Sequence, residues 1–129
     1  IGARDLEQGV VEIARRDTKE KKSIPIGEVS SYVKALLDEI QIQLFEKAKA
    51  FRSANTYVVD EWDRFKQIME DQPGFVYAHW DGTPETEEKI KELTKATIRC
   101  IPLNAAEEQG KCILTGRPSS RRVLFAKAY

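Results

Sequence analysis

The feature that most constrains this chain is a helical repeat of apolar residues that begins after Pro25 and Gly27. Apolar side chains recur every three or four residues there, a spacing that places them on one face of an α-helix. Charged and amide side chains fill the opposite side, and the polar pair Asn55 and Thr56 ends the repeat. The pattern therefore predicts one long amphipathic helix that ends near Ser53. Its apolar stripe consists of Val29, Val33, Leu36, Ile40, Leu44, Ala48 and Phe51, widened by Leu37 and Phe45.

Shorter elements are predicted on either side of this helix. Residues 9–16 are rich in β-branched side chains and predict a strand, and residues 17–22 predict a polar loop. Beyond the long helix, Asp60 can cap a second helix. The Thr-Pro-Glu run at residues 83–85 offers a capping hydroxyl, a proline and an acid to the first turn of a third. Strands are predicted over residues 75–80, 96–103, 111–115 and 122–129.

The order of these elements predicts an α+β protein with two units. Residues 1–54 would form an incomplete first unit, which ends with the long helix. Residues 55–129 would form a complete α+β unit that contains a small, mainly antiparallel sheet. A chain of 129 residues is long enough to bury such a core without disulfides.

Composition narrows the classes of function. Lys plus Arg and Asp plus Glu number 21 each, so the chain is not a wholly basic binder, although a local basic patch is compatible with this balance. No apolar run approaches the roughly 18 residues that span a bilayer, and the first residues do not resemble a signal peptide. Two cysteines are too few for a secreted disulfide framework. We expect a cytoplasmic location without membrane contact, and the opening at Ile1 predicts a fragment of a longer protein.

The residues offer little catalytic chemistry. His79 is the single histidine, and no serine, cysteine or acid stands at a spacing that indicates a catalytic set with it. Its place in an aromatic strand predicts a structural role. Cys100 and Cys112, even with His79, fall short of the four ligands of a structural zinc site, so we interpret them as small buried side chains. A small zinc or redox protein stays open as an alternative, although no close pair of cysteines supports it.

Two groups of basic residues are candidates for phosphate contacts. The first joins Arg15 and Arg16, at the end of the predicted strand, to Arg4 and to three lysines. The second lies after Gly110, in a tail without acidic residues. Because phosphate binding needs cations that converge in space, the sequence leaves each group equally open to being an ordinary exposed surface. The lysines of the first group are Lys19, Lys21 and Lys22, and the second group is Lys111, Arg117, Arg121, Arg122 and Lys127.

Several motifs carry a family resemblance. The run GARDLE at residues 2–7, followed by Gly9 and by VEIARRD at residues 11–17, resembles the end of the anticodon-binding domain of class II aminoacyl-tRNA synthetases. The remaining motifs resemble the C-terminal region of prolyl-tRNA synthetases of the archaeal and eukaryote-like type. These motifs are LFEKA at residues 44–48, TIRCIPL at 97–103, GKC at 110–112 and RRVLFAKAY at 121–129. The resemblance covers essentially the whole chain in the same order.

The resemblance implies a division of labour between this chain and a longer parent enzyme. Residues 1–54 would complete the anticodon-binding domain with its connecting helix, and residues 55–129 would be the C-terminal, zinc-binding-like domain. The parent, a homodimer, would join proline to tRNA(Pro) with ATP and Mg²⁺ in a catalytic domain outside this chain. The chain itself would bind and support tRNA and would carry no catalytic residue. The alternative is an interaction module that braces the parent's own catalytic domain and touches RNA little.

Roles for single residues also follow from the resemblance. Arg4 and Asp5 match positions where relatives contact anticodon bases, and Arg15 and Arg16 would assist through bases or phosphates. Tyr129 matches a terminal tyrosine whose carboxylate reaches toward the catalytic domain.

A zinc site is the last property that the resemblance raises. Many relatives hold zinc with four cysteines in their last domain, and Cys100 and Cys112 match two of these. Asp81 and Thr86 replace the other two. Because threonine is a poor zinc ligand, we expect that zinc has been lost and that the chain binds no other metal or cofactor.

Overall fold

The computed structural model describes residues 1–71 and 74–128. Helices, one mixed sheet and two hairpins make up the chain, which confirms the α+β class. The chain divides into two compact units between Ala50 and Phe51. This division falls inside the long helix, whereas the sequence placed it after residue 54.

The first unit consists of a short helix, a hairpin and most of the long helix. Helix α1 (Ala3–Gln8) ends at Gly9, whose φ of 65° lies in the left-handed region that glycine adopts without strain. Strand β1 (Val10–Ala14) pairs antiparallel with β2 (Lys21–Pro25). A 3-10 turn (Ile26–Glu28) leads into helix α2 (Val29–Ala54). The predicted strand and the predicted long helix are confirmed. The loop predicted over residues 17–22 is partly wrong, because β2 begins at Lys21.

Most of the apolar stripe on α2 is not buried. Leu36 is 8% exposed and, together with Ile24 of β2, provides the buried side chains of the first unit. Leu37 and Leu44 are 61% and 51% exposed, and Phe51, past the division, is 72% exposed. Apolar stripes of this length normally face another part of a protein.

The second unit is built around a four-stranded sheet. Its strands follow the spatial order β3 (Thr56–Val58), β4 (Phe75–His79), β8 (Arg122–Lys127) and β5 (Ala96–Cys100). The first two strands are parallel to each other, and the other neighbours are antiparallel. Residues 118–119 return to pair with residues 110–111 in a separate small hairpin. The elements are β3 (Thr56–Val58), α3 (Trp62–Asp71), β4 (Phe75–His79), α4 (Pro84–Thr94), β5 (Ala96–Cys100), β6 (Gly110–Lys111), β7 (Pro118–Ser119) and β8 (Arg122–Lys127).

One apolar core joins both short helices to the sheet. Phe65 of α3 is fully buried and meets the ring of Phe125 of β8 edge to face, with centroids 5.3 Å apart. Ile90 of α4 is equally buried in the same cluster. Edge-to-face aromatic pairs add specific attraction to the burial of area. The second unit therefore has the continuous core that the first unit lacks.

The sequence misjudged two short strands of this unit. No strand is predicted over residues 56–58, but these residues pair with β4. A strand is predicted over residues 111–115, but the observed strand β6 ends at Lys111. A turn follows it, in which the N–H of Gly116 donates to the carbonyl oxygen of Cys112 at 2.9 Å. Both errors concern strands of two or three residues, in which periodicity cannot be read.

Candidate nucleic-acid interface

The residues expected to meet the anticodon lie on α1. Asp5 turns back to the start of the helix, where its carboxylate accepts a hydrogen bond of 2.8 Å from the backbone N–H of Gly2. The neighbouring side chain of Arg4 is exposed. Carboxylate and guanidinium groups can both read the hydrogen-bonding edges of unpaired bases. Consecutive residues of a helix do not face each other, so these two side chains would meet a ligand from different directions.

Arg15 is committed to contacts within the first unit. Its Nε and Nη2 donate to both carboxylate oxygens of Asp17, at 3.1 and 2.7 Å. Nη1 donates to Glu39 Oε1 at 2.7 Å and Nη2 to Gln43 Oε1 at 2.9 Å, both on α2. The side chain is 10% exposed. Arg15 therefore links the hairpin to α2. In the sequence, Asp17 two positions later indicates a local ion-pair partner for this arginine.

These contacts shift the pKa values of both Arg15 and Asp17. The hydrogen bonds from Arg15 lower the pKa of Asp17 to about 2, outweighing the opposing effect of burial. The hydrogen bonds to Asp17 and Glu39 in turn raise the pKa of Arg15. The pair is therefore charged across the whole physiological range. Arg16, the next residue, is exposed and is the arginine of this pair that remains accessible to a ligand.

The basic tail contains a second arginine whose guanidinium is already paired with carboxylates. Arg122 forms a two-pronged pair with Glu108 through Nε and Nη2, each at 2.9 Å. Its Nη2 also lies 2.7 Å from Asp60 Oδ1, and Nη1 donates to Val59 O at 3.2 Å. These hydrogen bonds raise the pKa of Arg122 and lower that of Glu108. Arg122 therefore ties β8 to the segment before α3 and to the loop before β6, and is not part of a free basic surface.

Asp81 is the centre of a polar cluster between two loops. Its side chain is 2% exposed. Oδ2 accepts hydrogen bonds from Thr86 Oγ1 at 3.0 Å and Thr115 Oγ1 at 2.9 Å, and Oδ1 accepts from the N–H and hydroxyl of Thr83 at 3.2 and 2.9 Å. The Thr83 hydroxyl, predicted to cap α4, is used here instead. Burial by itself would raise the pKa of Asp81, but the hydrogen bonds from the three threonines outweigh it and lower that pKa.

The residues of this cluster stand at positions where relatives are expected to bind zinc, so their chemistry can be compared with what zinc requires. Asp81 and Thr86 converge as the resemblance implies, and they are joined by Thr115, which the sequence reasoning missed. Cys112 is buried between β6 and β7, in the hairpin that also contains Thr115. Cys100 is exposed on β5, where it lies opposite Leu124. Structural zinc sites use thiolate and imidazole ligands, so one carboxylate with three hydroxyls does not fit the ion. Within residues 1–71 and 74–128, no group of three acids, histidines and cysteines could hold a metal.

His79 has a structural environment. Ser119 Oγ donates to Arg121 O at 3.0 Å, so its oxygen accepts from His79 Nδ1 at 3.1 Å. The ring is 2% exposed, and Nε2 has no hydrogen-bond partner among the described residues, with Glu108 Oε1 at 3.8 Å. The contact with Ser119 therefore joins β4 to β7 and gives His79 a structural place between these strands.

Comparison with known proteins identifies the class first. Residues 1–36 match the family model described as "Anticodon binding domain". Residues 62–129 match the model "Prolyl-tRNA synthetase, C-terminal". Since this second match covers more than half of the chain, the chain belongs to the prolyl-tRNA synthetase family. The resemblance read from its motifs is confirmed at the level of the family, and the archaeal and eukaryote-like type stays a prediction.

Curated relatives agree with the family models. The chain is 59% identical to a proline–tRNA ligase of Cytophaga hutchinsonii, 57% to that of Christiangramia forsetii and 53% to that of Flavobacterium johnsoniae. Each alignment covers 100% of this chain and 26% of the relative. The chain thus spans about a quarter of the length of the relatives that it matches. Among the described residues, no helix combines the length and the apolar character needed to cross a bilayer.

Proposed function

We propose that this chain is the tRNA-supporting C-terminal part of a proline–tRNA ligase of the archaeal and eukaryote-like type. The observation that supports this most is the order of the two family matches, anticodon binding over residues 1–36 and prolyl-tRNA synthetase over 62–129. The whole enzyme joins proline to tRNA(Pro) with ATP and Mg²⁺ in a catalytic domain outside this chain. It works as a homodimer in the cytoplasm.

The anticodon-binding role rests on α1 and the end of β1. Arg4 and Asp5 present a donor group and an acceptor group to unpaired bases, and Arg16 offers an exposed cation to a phosphate. Arg15 contributes indirectly, because its contacts with Asp17 and Glu39 hold the strand end against α2. Residues 1–54 thus form the recognising part and residues 55–129 the supporting part.

The second unit contributes stability and contact with the parent enzyme. We propose that the Asp81 cluster has taken the place of zinc as the link between the loop after β4 and the hairpin after β6. Tyr129, for which the resemblance implies a contact with the catalytic domain of the parent, lies outside the described residues.

The experiment that tests the proposal is binding of the chain to a fluorescent anticodon stem-loop of tRNA(Pro). Removal of one base-reading arginine in Arg4→Ala should weaken binding at least about fivefold. Arg64→Ala is the matched control, because Arg64 is an exposed arginine of the second unit that bonds Gln67 on its own helix. Equal affinity for wild type, Arg4→Ala and Arg64→Ala would contradict the assignment of α1.

A second function, bracing with little RNA contact, is favoured by one observation. Leu37, Leu44 and Phe51 of the α2 stripe are all more than half exposed. Exposed apolar stripes of this kind mark protein contacts rather than RNA contacts. Failure of the chain to bind any tRNA, combined with rescue of a truncated parent enzyme by the added chain, would establish this alternative.

A further inference from the structure

We propose that the second unit holds a phosphate group in a cavity lined by three lysines, here called the lysine cavity. The cavity lies where α3, the end of α4 and the end of β8 meet, and its volume is about 240 Å³. Sites for drug-sized ligands begin at about 300 Å³, so this cavity suits a smaller group. The inference rests on the proposed RNA-binding function, which would supply the phosphate from the tRNA backbone, and it adds a contact in the unit to which only support has been assigned.

Three ammonium groups converge at the cavity from separate elements. Lys66 lies on α3, Lys95 directly follows α4, and Lys127 ends β8. Among the described lining residues the acid is Glu70, so positive charge exceeds negative charge here, although the chain as a whole is neutral. Phosphate binding needs cations that converge in space, and the fold supplies them. Of the three lysines, only Lys127 belongs to a basic group that the sequence indicated.

Lys95 has a backbone conformation that favours glycine. Its φ of 64° lies in the left-handed region, where a side chain is strained and where helices commonly end in glycine. Strained residues of this kind cluster at binding sites, because the strain is retained where the side chain has a use. The residue is exposed and lines the cavity, and its ammonium group is what glycine would not provide.

The last carbonyl groups of α4 find donors other than lysine side chains. Thr94 Oγ1 donates to the carbonyl oxygen of Ile90 at 2.7 Å, and the N–H of Lys95 donates to the carbonyl oxygen of Lys91 at 2.8 Å. The negative end of a helix otherwise attracts ammonium groups. Because these two oxygens are already hydrogen-bonded, the ammonium group of Lys95 is available to a ligand.

The ion pair of Lys66 is weak enough to exchange for a phosphate. Lys66 Nζ lies 3.0 Å from Asp63 Oδ1 on the same helix, and the Asp63 side chain is 93% exposed. Exposed ion pairs add little stability, so a phosphate can take the place of this carboxylate. The ion pairs among residues 1–71 and 74–128 include Lys66 but neither Lys95 nor Lys127.

The test uses the complete chain and fluorescent tRNA(Pro), measured by anisotropy from about 50 to about 200 mM salt. The variants are Lys95→Gly, Lys127→Ala, Glu70→Gln and the control Lys89→Ala. Lys89 is an exposed lysine of α4 outside the cavity lining. Calorimetric titration with pyrophosphate separates a free phosphate from an RNA phosphate, and thermal unfolding measures the stability of each variant.

The lysine variants should weaken binding without weakening the fold. Lys95→Gly should lower tRNA affinity at least about threefold at the lowest salt and reduce the slope of log affinity against log salt by about one. It should unfold at the same or a higher temperature, because glycine removes the strain. Lys127→Ala should also lower affinity and slope. Glu70→Gln should raise affinity, because it removes a charge that repels phosphate, and Lys89→Ala should match wild type.

Four results would contradict the proposal or the function on which it rests. If wild type binds tRNA and both lysine variants match it, the cavity meets no RNA phosphate, although RNA binding stands. If these variants lose pyrophosphate binding but keep tRNA binding, the cavity holds a free anion and the RNA contact is wrong. If wild type binds only pyrophosphate and Lys95→Gly abolishes this, the site stands and the RNA-binding function fails. If wild type binds neither ligand, both fail.

Discussion

At the scale of single residues, Asp81 shows how one buried carboxylate can join distant segments of a fold. It accepts hydrogen bonds from three threonine hydroxyls: Thr83 just before α4, Thr86 in the first turn of α4 and Thr115 in the turn after β6. Hydrogen bonds to a charged acceptor are among the strongest in proteins, and a buried charge without them is costly. The single carboxylate therefore fixes the loop after β4 to the turn that follows β6.

Replacing this carboxylate tests the cluster directly. Asp81→Asn should lower the free energy of unfolding by about 1–3 kcal/mol at neutral pH, because the amide cannot accept all four bonds. The measurement is thermal or denaturant unfolding of the chain. Asp63→Asn is the control, since that side chain is 93% exposed and should change stability by less than about 0.5 kcal/mol. Equal stability of Asp81→Asn and wild type would contradict the structural role.

The pH dependence of the same variant follows from the lowered pKa of Asp81. A carboxyl group with a pKa below its unfolded value of about 3.9 stabilises the protein above that pH and loses the effect as pH falls through the native pKa. The stability difference between wild type and Asp81→Asn should therefore be full at pH 7 and shrink at acid pH. A difference that stays constant down to the native pKa would show that the charge of Asp81 is not what stabilises the cluster.

Gly110 offers another residue-scale prediction. A Cβ atom at Gly110 would lie 2.6 Å from Cε1 of His79 and closer still to Nε2. Because His79 is buried, Gly110→Ala should destabilise the second unit by about 1–3 kcal/mol. Unfolding curves should show no comparable loss for Gly27→Ala, since open space surrounds Gly27. A neutral Gly110→Ala would mean that the ring can move aside.

At the scale of elements, α2 carries neighbouring leucines with opposite environments. Leu36 is 8% exposed and Leu37 is 61% exposed. Leu36→Ala should lower the stability of the first unit by about 2 kcal/mol or more, whereas Leu37→Ala should have an effect below about 0.5 kcal/mol. Hydrogen exchange of the α2 amides measures both. Equal protection in the two variants would show that the first unit gains little from the contact of α2 with the hairpin.

Elements with a long pattern were predictable from the sequence, and short ones were not. The repeat from Val29 to Phe51 gave α2 almost to its ends, and Thr83-Pro84 gave the start of α4. The sequence could not show that Asp81 accepts the hydroxyls of both Thr83 and Thr115, because Thr115 lies more than thirty residues further along the chain. Likewise, only the fold shows that Arg15 meets Glu39.

At the scale of the whole molecule, the two units differ in how they are held together. The second unit encloses an apolar core that includes Phe65, Ile90 and Phe125, all fully buried. The first unit has a two-stranded hairpin, which is marginal in isolation, and relies on Ile24, Leu36 and the contacts of Arg15. Thermal unfolding should therefore show the first unit losing protection against hydrogen exchange at a lower temperature than the second. A single concerted loss of protection would contradict this order.

The measurement that tests the central claim most directly is binding of the chain to tRNA(Pro) across a salt series, beside a tRNA with an altered anticodon. The account predicts that affinity falls steeply with salt, because exposed cations such as Arg16 meet phosphates, and that it falls further for the altered anticodon. Equal and weak binding of both tRNAs would contradict anticodon recognition by this chain and would leave it the bracing role alone.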